Sequence, residues 1–265
     1  MKKQKIKIIS GHSGPGGSTQ IWINLTNLFN ENGYDCTFYG PQKFHLNKCK
    51  ADNLNNVTFD PDDIILTHVL HFKNRPEVKK CIYVCHEKWW GVIKDDMKYW
   101  DIAVFNHQNH KDYHKDYTGP YVLIPNPKSK LEYKEKPDKD LIAGVIGTVE
   151  DRKQTHISIK QALQDGCTKV YVCGACNRET PYYQEYMRQF ERDERVVLID
   201  YVHDKQAMYD SIGRVYHISK GEVACLVKDE CYQTGTIFFG NEETSHEVSP
   251  LNNDEILKLW ENLWT

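Results

Sequence analysis

Short apolar runs of strand length alternate with stretches of helical periodicity along the whole 265-residue chain. The predicted strands are residues 5–10, 35–39, 63–68, 81–85, 102–105 and 121–124, and then 141–146, 169–173, 196–199, 214–218 and 236–239. Strands joined through helices pair in parallel and need both sheet faces covered, so this pattern predicts an α/β protein with two Rossmann-like, doubly wound domains. Ligands of such folds bind beyond the carboxyl ends of the strands, so we expect chemistry in a cleft between two facing domains.

A charged segment with two prolines divides the chain into two such blocks. It reads NPKSKLEYKEKPDKD, a composition that is typical of a linker. We therefore predict a first domain at residues 1–126, a linker at 127–140 and a second domain at 141–265. The second domain ends in a predicted helix at 253–263, for which packing back on the first domain is one arrangement to consider.

Composition excludes several classes of protein. Hydrophobic residues make up 40% of the chain, which is enough for packed cores and argues against disorder. No apolar run approaches the roughly 18 residues of a membrane helix, and no apolar leader precedes the first strand, so we expect a cytoplasmic protein. The nine cysteines are odd in number and scattered, which favours free thiols. The lone pair Cys173 and Cys176 lacks a second ligand pair, so we expect no metal there.

A glycine-rich loop, GHSGPGG at residues 11–17, joins the first predicted strand to the first helix. Glycine lets another group approach the main chain closely, and a helix N-terminus behind the loop directs N–H groups at an anion. The loop lacks the lysine of a phosphate loop and the third glycine of the dinucleotide fingerprint. An anion site at Gly16 and Gly17 and a turn without a ligand both remain open from this segment alone.

The most informative string in the second half is HISKGEVACLVKDECYQTGTIFFG. Glu222 and Glu230 lie eight positions apart across a strand-to-helix transition, which puts one carboxylate at the helix entrance and the other about two turns along the same face. Amides at the helix entrance would bind phosphate, and the carboxylates would accept hydrogen bonds from sugar hydroxyls. This pattern favours a ligand that carries both groups.

At these residues the chain resembles the retaining glycosyltransferases of the two-domain GT-B fold, in the family known as glycosyltransferase family 4. The hallmark of that family is Glu-x7-Glu followed by a small-Gly-Thr turn. The matching residues here are Glu222 and Glu230, then Thr234-Gly235-Thr236, with Ser219 and Gly221 ahead of the first glutamate. Four further matches follow the family order, namely Gly14-Pro15-Gly16-Gly17, His86 in YVCHE, the run VLIPNP at 122–127, and VIGTVEDRKQ with Arg152 and Lys153.

The resemblance implies a role for each matching residue. Glu222 would hold hydroxyls of the donor sugar, Glu230 the ribose hydroxyls, and His86 the sugar or the reacting centre. The diphosphate would be stabilised by Arg152 and Lys153, with help from the amides of Gly16 and Gly17. The other donor-binding positions implied are Val202, Ala224, Cys225 and Leu226.

The resemblance also implies chemistry without a cofactor. The donor would be a nucleotide-diphosphate sugar, a UDP-sugar first of all, and transfer would retain the anomeric configuration through a front-face substitution. No metal is expected, because protein cations and a helix dipole would neutralise the leaving group. The chain departs from the family at Thr148, where an arginine is usual, and at Val223, Ala224 and Cys225, where glycines are common.

The first half of the chain, where the resemblance implies that the acceptor binds, is basic. Residues 1–137 carry a net charge of +5 and the remainder −8. Basic residues and histidines gather at 43–50, 73–80 and 107–115, interleaved with aromatics, a pattern that suits a phosphate-backbone partner. One hypothesis is therefore that the acceptor is double-stranded DNA with hydroxymethylated cytosine, as in phage DNA modification, with the enzyme in the host cytoplasm. The candidate acceptor residues are His12, Lys43, His45 and Trp89.

Three alternatives remain open from the sequence. The acceptor could instead be a polysaccharide or a lipid-linked sugar. His12 could serve as the general base of an inverting enzyme of the same layout. The chain could also be a non-catalytic module that binds a nucleotide sugar.

Overall fold

The computed structural model describes residues 4–41, 47–70, 72, 74–88 and 98–264. It divides into two compact units. Unit 1 comprises Met1–Lys128 and Ser249–Thr265, and unit 2 comprises Ser129–Val248. Among the described residues, no helix combines the length and the apolar character needed to cross a bilayer.

Unit 1 is built on a parallel sheet of seven strands. These are β1 (Lys5–Ser10), β2 (Asp35–Gly40), β3 (Ala51–Asn53), β4 (Ile64–His68), β5 (Lys80–Val84), β6 (Ile102–Phe105) and β7 (Tyr121–Leu123). They lie in the order β3-β2-β1-β4-β5-β6-β7. The chain winds outward from β1 in one direction and then returns to pair β4 with β1 on its other side. The topological switch point of unit 1 therefore lies between the carboxyl ends of β1 and β4.

In the part of unit 1 that the structure describes, the α-helices are α1 (Gly17–Glu31), α2 (Gln108–Tyr113) and α6 (Asn253–Glu261). Helix α1 buries Trp22, Leu25 and Phe29 in one cluster with the core strands, because apolar residues at spacings of three and four form one face. Helix α6 begins with a reciprocal capping box between Asn252 and Glu255. It adds Trp260 to the same cluster, where its ring meets Phe29 edge-on at 6.1 Å.

Unit 2 has a five-stranded parallel sheet in the order β10-β9-β8-β11-β12. Its strands are β8 (Ile142–Ile146), β9 (Lys169–Cys173), β10 (Val196–Ile199), β11 (Arg214–His217) and β12 (Ile237–Gly240). Its α-helices are α3 (Thr155–Gln164), α4 (Lys205–Asp210) and α5 (Leu226–Thr234). The winding direction reverses between β8 and β11, so the switch point of unit 2 lies at their carboxyl ends.

The predicted fold class, with two Rossmann-like doubly wound sheets, is confirmed. Two local predictions differ from the structure. Strand β3 escaped the sequence analysis because its three residues, Ala51–Asn53, carry no apolar run. Residues 182–192, whose apolar spacing predicts a helix, form a π-helical turn, Tyr183–Met187, followed by a 3₁₀ segment, Arg188–Arg192. The apolar spacing identified the buried face there, but spacing does not report which backbone hydrogen bonds form.

The charged segment that resembles a linker is bonded to unit 2 along its length. The Glu132 amide donates to Gln206 at 2.8 Å, and the Lys134 side chain pairs with Asp210. Further on, the Lys136 ammonium donates to the Thr236 hydroxyl at 2.6 Å. Residues 129–136 therefore form an edge of unit 2, which fits the unit boundary between Lys128 and Ser129.

We predict that the C-terminal helix is needed for the stability of unit 1. Trp260→Ala removes a ring that is 2% exposed and leaves a cavity beside Phe29, which should cost about 3–5 kcal/mol of unfolding free energy. Lys258→Ala, on the exposed face of the same helix, is the control and should cost less than about 0.5 kcal/mol. Chemical denaturation followed by far-ultraviolet circular dichroism, which does not depend on tryptophan fluorescence, measures the unfolding free energy of both variants. Equal costs for the two variants would contradict the packing described for α6.

Candidate functional site

The carboxyl ends of β8 and β11 in unit 2 bring three predicted site residues together. The Lys153 ammonium contacts the Glu222 carboxylate directly, and the Arg152 guanidinium lies 3.9 Å from the same oxygen, Oε1. His217, the last residue of β11, places its Nε2 atom 3.2 Å from Oε1 as well. Glu222 is therefore the centre of a cluster of cations at the switch point.

Hydrogen bonds between two loops hold this cluster. One loop follows β8 and contains Arg152 and Lys153, and the other follows β11 and contains Ser219–Gly221. The Lys220 amide donates to the Arg152 carbonyl at 2.8 Å. In return the Arg152 side chain donates to the Gly221 carbonyl at 3.1 Å. Two segments nearly 70 residues apart in sequence are thus cross-linked beside Glu222.

Electrostatics fix the charge states of the cluster. Burial opposes ionisation of Glu222, but the hydrogen bond from His217 and the charge on Lys153 lower the pKa of this carboxyl to about 2. Burial also opposes a charge on His217, but Cys225 and the Glu222 carboxylate raise the pKa of the imidazole to about 9. The second ring nitrogen of His217, Nδ1, donates to the Ile146 carbonyl at 3.0 Å. At neutral pH the cluster therefore contains a carboxylate and an imidazolium.

Sequence reasoning missed His217. The neighbouring residues Ser219, Gly221 and Glu222 carried the motif, and a single histidine at the end of a strand gave no pattern of its own. The available signal was its position, because the last residue of a central parallel strand faces the switch point.

Glu230 lies in a separate network, on the buried side of α5. Its Oε1 atom accepts hydrogen bonds from the Ser129 hydroxyl at 2.8 Å and from the Lys205 ammonium, and Oε2 accepts one from the Tyr209 hydroxyl at 2.9 Å. The Glu230 side chain is 4% exposed and the Lys205 side chain 28%. The two glutamates of the motif therefore hold different partners.

The remaining predicted donor positions surround the start of α5. Cys225 is the N-cap residue, and its amide donates to the His246 Nε2 atom at 3.0 Å, so this amide already has a partner. Leu226 begins the helix, and Ala224 precedes the cap in a half-buried position. Val202, in the segment between β10 and α4, packs on the cluster that contains Tyr209.

A cavity of about 620 Å³ lies elsewhere in unit 2, beside β12 and the C-terminal end of α5. Its lining includes Lys228, Tyr232 and Phe238. None of the predicted donor residues lines this cavity, so it is distinct from the cluster around Glu222.

In unit 1, the predicted residues lie at the carboxyl end of the sheet. Gly16 is the N-cap of α1 and Gly17 its first residue, with no acidic side chain in the first turn. The His12 amide donates to the Ser10 hydroxyl at 3.2 Å, and the exposed His12 side chain follows the end of β1. His86 follows β5 and packs its ring on Trp22, with centroids 4.5 Å apart. Burial lowers the pKa of His86 well below its ordinary value, so this ring is neutral.

The structure describes some of the residues of the predicted basic acceptor surface. Lys43, His45 and Trp89 lie outside the described residues. Arg75 makes a bidentate ion pair with Asp101, at 2.9 Å to each carboxylate oxygen. His110 and His114 are buried, and burial lowers the pKa of both, that of His110 to about 3. These two histidines therefore add no positive charge to the surface.

One group of residues has the side-chain types of a metal site. The ligand atoms of Cys85, His110 and His114 lie within 4.8 Å of one another. However, the Asn106 amide donates to Nδ1 of His110 at 3.2 Å, so the hydrogen of this neutral ring is on Nε2, the atom that faces the group. Both His110 and His114 direct Nε2 at the Glu87 carbonyl, at 3.1 Å and 2.7 Å. The geometry is that of two imidazoles donating to one carbonyl.

No family model and no curated protein sequence matches the chain. Solved structures do match it. HepE of Anabaena, solved with UDP and glucose, superposes with a TM-score of 0.71 at 13% identity, over 98% of this chain and 89% of HepE. WaaG, a glycosyltransferase involved in lipopolysaccharide biosynthesis, superposes with a TM-score of 0.65 at 10% identity, over 98% of this chain and 90% of WaaG.

A third similar structure is AviGT4, a glycosyltransferase involved in avilamycin A biosynthesis. It superposes with a TM-score of 0.60 at 14% identity, over 98% of this chain and 93% of AviGT4. Similarity at such identities establishes the fold and nothing finer. The chain therefore has the two-domain α/β fold of the GT-B glycosyltransferases.

We predict that His217 stabilises unit 2 in a pH-dependent way. Its pKa is raised from 6.5 to about 9, so its contribution is complete below about pH 6.5 and is lost as the pH rises through 9. His217→Gln keeps a hydrogen-bond donor but loses the charge. The difference in unfolding free energy between wild type and His217→Gln should be largest at pH 6 and should shrink toward pH 10. A difference that stays constant over that range would contradict the imidazolium.

Proposed function

We propose that the protein is a glycosyltransferase that moves a sugar from a nucleotide-diphosphate sugar to an acceptor hydroxyl. The observation that carries this proposal is the cluster of Glu222 with Lys153, Arg152 and His217, at the switch point of a unit with the GT-B topology. The site offers a carboxylate for sugar hydroxyls and cations for a diphosphate. These are the two chemical features of the donor.

The hydrogen bonds divide the work between the two oxygens of Glu222. Oε1 accepts hydrogen bonds from the Lys153 ammonium and from Nε2 of His217. Oε2 accepts no hydrogen bond from any residue that the structure describes. We assign Oε2 to a hydroxyl of the donor sugar. The cations that hold Oε1 keep the carboxylate ionised and fixed in direction, which is how preorganised groups lower a barrier without reorganising.

The leaving diphosphate needs positive charge, and Arg152 and Lys153 supply it in this proposal. The Arg152 side chain is 44% exposed and reaches solvent from the loop after β8. Because two protein cations neutralise the leaving group, we propose that transfer needs no divalent metal and that it proceeds with retention through a front-face substitution. Activity that persists in the presence of EDTA supports the first point, and the anomeric proton coupling of the product decides the second.

For the donor nucleotide we propose UDP. Two observations support it, the fold shared with HepE, which is solved with UDP-glucose, and the pair Glu230 and Lys205 on α5 and α4. Glu230 would accept the ribose hydroxyls once Lys205, whose side chain is 28% exposed, turns toward solvent. The main chain near Val202 would then read the base.

The acceptor is proposed to be a sugar hydroxyl of a polysaccharide or a lipid-linked saccharide. WaaG and AviGT4 act in the biosynthesis of a lipopolysaccharide and of avilamycin A, which is consistent with a saccharide acceptor here. The DNA hypothesis, with phage hydroxymethylcytosine as acceptor, relied on basic clusters of which His110 and His114 are buried and neutral. It therefore ranks second, and a non-catalytic sugar-nucleotide-binding module ranks third.

Nucleotide binding is the first measurement. A thermal-shift series with UDP, GDP, ADP and CMP should give a rise in melting temperature with UDP, because a ligand at 100 times its Kd adds about 2.7 kcal/mol of stability. Arg152→Ala should reduce the UDP shift, since it removes one phosphate-facing cation. Lys169→Ala is the matched control, because Lys169 lies at the amino end of β9 and its ammonium donates to the Glu194 carbonyl at 3.1 Å. The absence of a shift with every nucleotide would contradict a donor site in unit 2.

Catalysis is tested separately from binding. Glu222→Gln keeps the shape of the side chain but weakens its hold on the sugar, so we expect sugar transfer from UDP-glucose to fall about 100-fold or more while the Kd for UDP changes little. Glu150→Gln is the matched control, because Glu150 pairs with Arg152 and neither a hydrogen bond nor an ion pair joins it to Glu222. Full transfer activity in Glu222→Gln would contradict the role of this carboxylate, and unaltered UDP binding without turnover in wild type would favour the binding module.

A further inference from the structure

The carboxyl ends of β1, β4 and β5 form a second polar cluster, in unit 1, which the proposed donor site does not use. It lies at the switch point of the seven-stranded sheet. The backbone there is under strain, because Val69, directly after β4, adopts a φ of 47° although it is β-branched. Gly11, directly after β1, can lie against the end of β4 because it has no side chain. A Cβ atom at this position would be 2.0 Å from the Val69 carbonyl oxygen. Strain of this kind is retained where surrounding structure enforces it, often at ligand sites.

Hydrogen-bond accounting assigns the proton of His68, the last residue of β4. The Ser10 hydroxyl lies 2.5 Å from the His12 carbonyl and must donate to it. The Ser10 oxygen is therefore an acceptor toward Nδ1 of His68, 3.2 Å away, and Nδ1 carries the hydrogen. Burial lowers the pKa of His68 and the nearby Glu87 only partly opposes this, so the ring is neutral and Nε2 has a bare lone pair.

That lone pair lies opposite another acceptor. His68 Nε2 is 3.4 Å from Oε1 of Glu87, and it has no hydrogen-bond partner among the described residues although the side chain is 1% exposed. Nδ1 of His86 is likewise buried without a described partner, and the His68 and His86 rings are 5.2 Å apart. A buried polar atom left without a hydrogen bond destabilises the fold, so such atoms call for an explanation. The Nε2 lone pair of His68 and the Glu87 carboxylate are two acceptors side by side, and a ligand that donates hydrogen bonds explains such a pair.

Glu87 is the exposed member of this cluster, and hydrogen bonds from two buried histidines fix its main chain. His110 and His114 both donate to its carbonyl, at 3.1 Å and 2.7 Å, and so hold the segment after β5 in one position. The Glu87 side chain is 49% exposed, with His68 behind it. A carboxylate that is anchored through its backbone and open to solvent is well suited to bind an incoming group.

We infer that Glu87 binds the acceptor, with its carboxylate and the Nε2 atom of His68 accepting hydrogen bonds from acceptor hydroxyls. This inference rests on the glycosyltransferase function proposed above and adds to it the residues that recognise the acceptor. An acceptor held by carboxylate and neutral imidazole groups is a neutral polyhydroxyl compound, that is, a saccharide. A phosphate backbone would instead be repelled by the Glu87 carboxylate at the point of contact.

The test compares Glu87→Gln with Glu77→Gln. Glu77 is an exposed carboxylate that precedes β5 and so lies at the opposite end of the sheet from Glu87. With UDP-glucose as donor and methyl α-D-glucopyranoside as acceptor probe, Glu87→Gln should lower kcat/KM for the acceptor about 10- to 100-fold, the loss of a hydrogen bond to a charged group. The Kd for UDP should stay at the wild-type value, and Glu77→Gln should behave as wild type. An unchanged kcat/KM in Glu87→Gln would overturn the inference.

A second measurement does not depend on any donor. Titration of ¹⁵N-histidine-labelled protein with methyl α-D-glucopyranoside should shift the ring signals of His68 and His86 in wild type and in Glu77→Gln, but not in Glu87→Gln. If the glycoside shifts these signals while UDP fails to bind, the donor proposal fails and the acceptor inference stands. If the glycoside leaves them unshifted, or if only a hydroxymethylcytosine duplex shifts them, the acceptor inference is overturned whatever the outcome with UDP.

Discussion

The ion cluster around Glu222 is the interaction on which unit 2 depends most. Three segments meet there, the loop after β8, the end of β11 and the approach to α5, and each supplies a charge or a hydrogen bond. A buried carboxylate is costly alone, and burying Lys153 or His217 alone would be costly too. Together they offset one another, and Arg152 adds a further cation at the rim. The cluster is thus stable without a ligand yet retains positive charge for an anionic one.

Both units gather polar groups at the switch point of a parallel sheet, but the charges of these groups differ between the units. In each, a parallel sheet reverses its winding direction, and polar groups gather where neighbouring strands end. Unit 2 collects cations around one carboxylate at its switch point. Unit 1 collects two neutral imidazoles and one carboxylate there instead, namely His68, His86 and Glu87. One site therefore suits an anion with hydroxyls and the other suits hydroxyls without an anion, as the sugar donor and the sugar acceptor of the proposed function would require.

Much of the fold could be predicted from the sequence, because the periodicity of apolar residues indicates which face of a helix or strand is buried. The strand pattern predicted both sheets, and the resemblance to glycosyltransferase family 4 implied that Arg152 and Lys153 share a site with Glu222, beside which the structure has them. Contacts between side chains distant in sequence could not be predicted. His217 meets Glu222 only because β11 ends beside it, and Glu230 is enclosed by Lys205 and Tyr209 from another helix.

The histidines show why counting basic residues misleads about a partner. The string HQNHKDYH looked like a surface for phosphates, since it holds three histidines and a lysine within eight residues. In the folded chain His107 caps α2, while His110 and His114 turn inward to the Glu87 carbonyl as neutral donors. Their burial removes positive charge from the surface, and as neutral donors they fix the backbone carbonyl of Glu87. The same residues that suggested a nucleic acid from sequence thereby support a site for a neutral, hydroxyl-bearing acceptor.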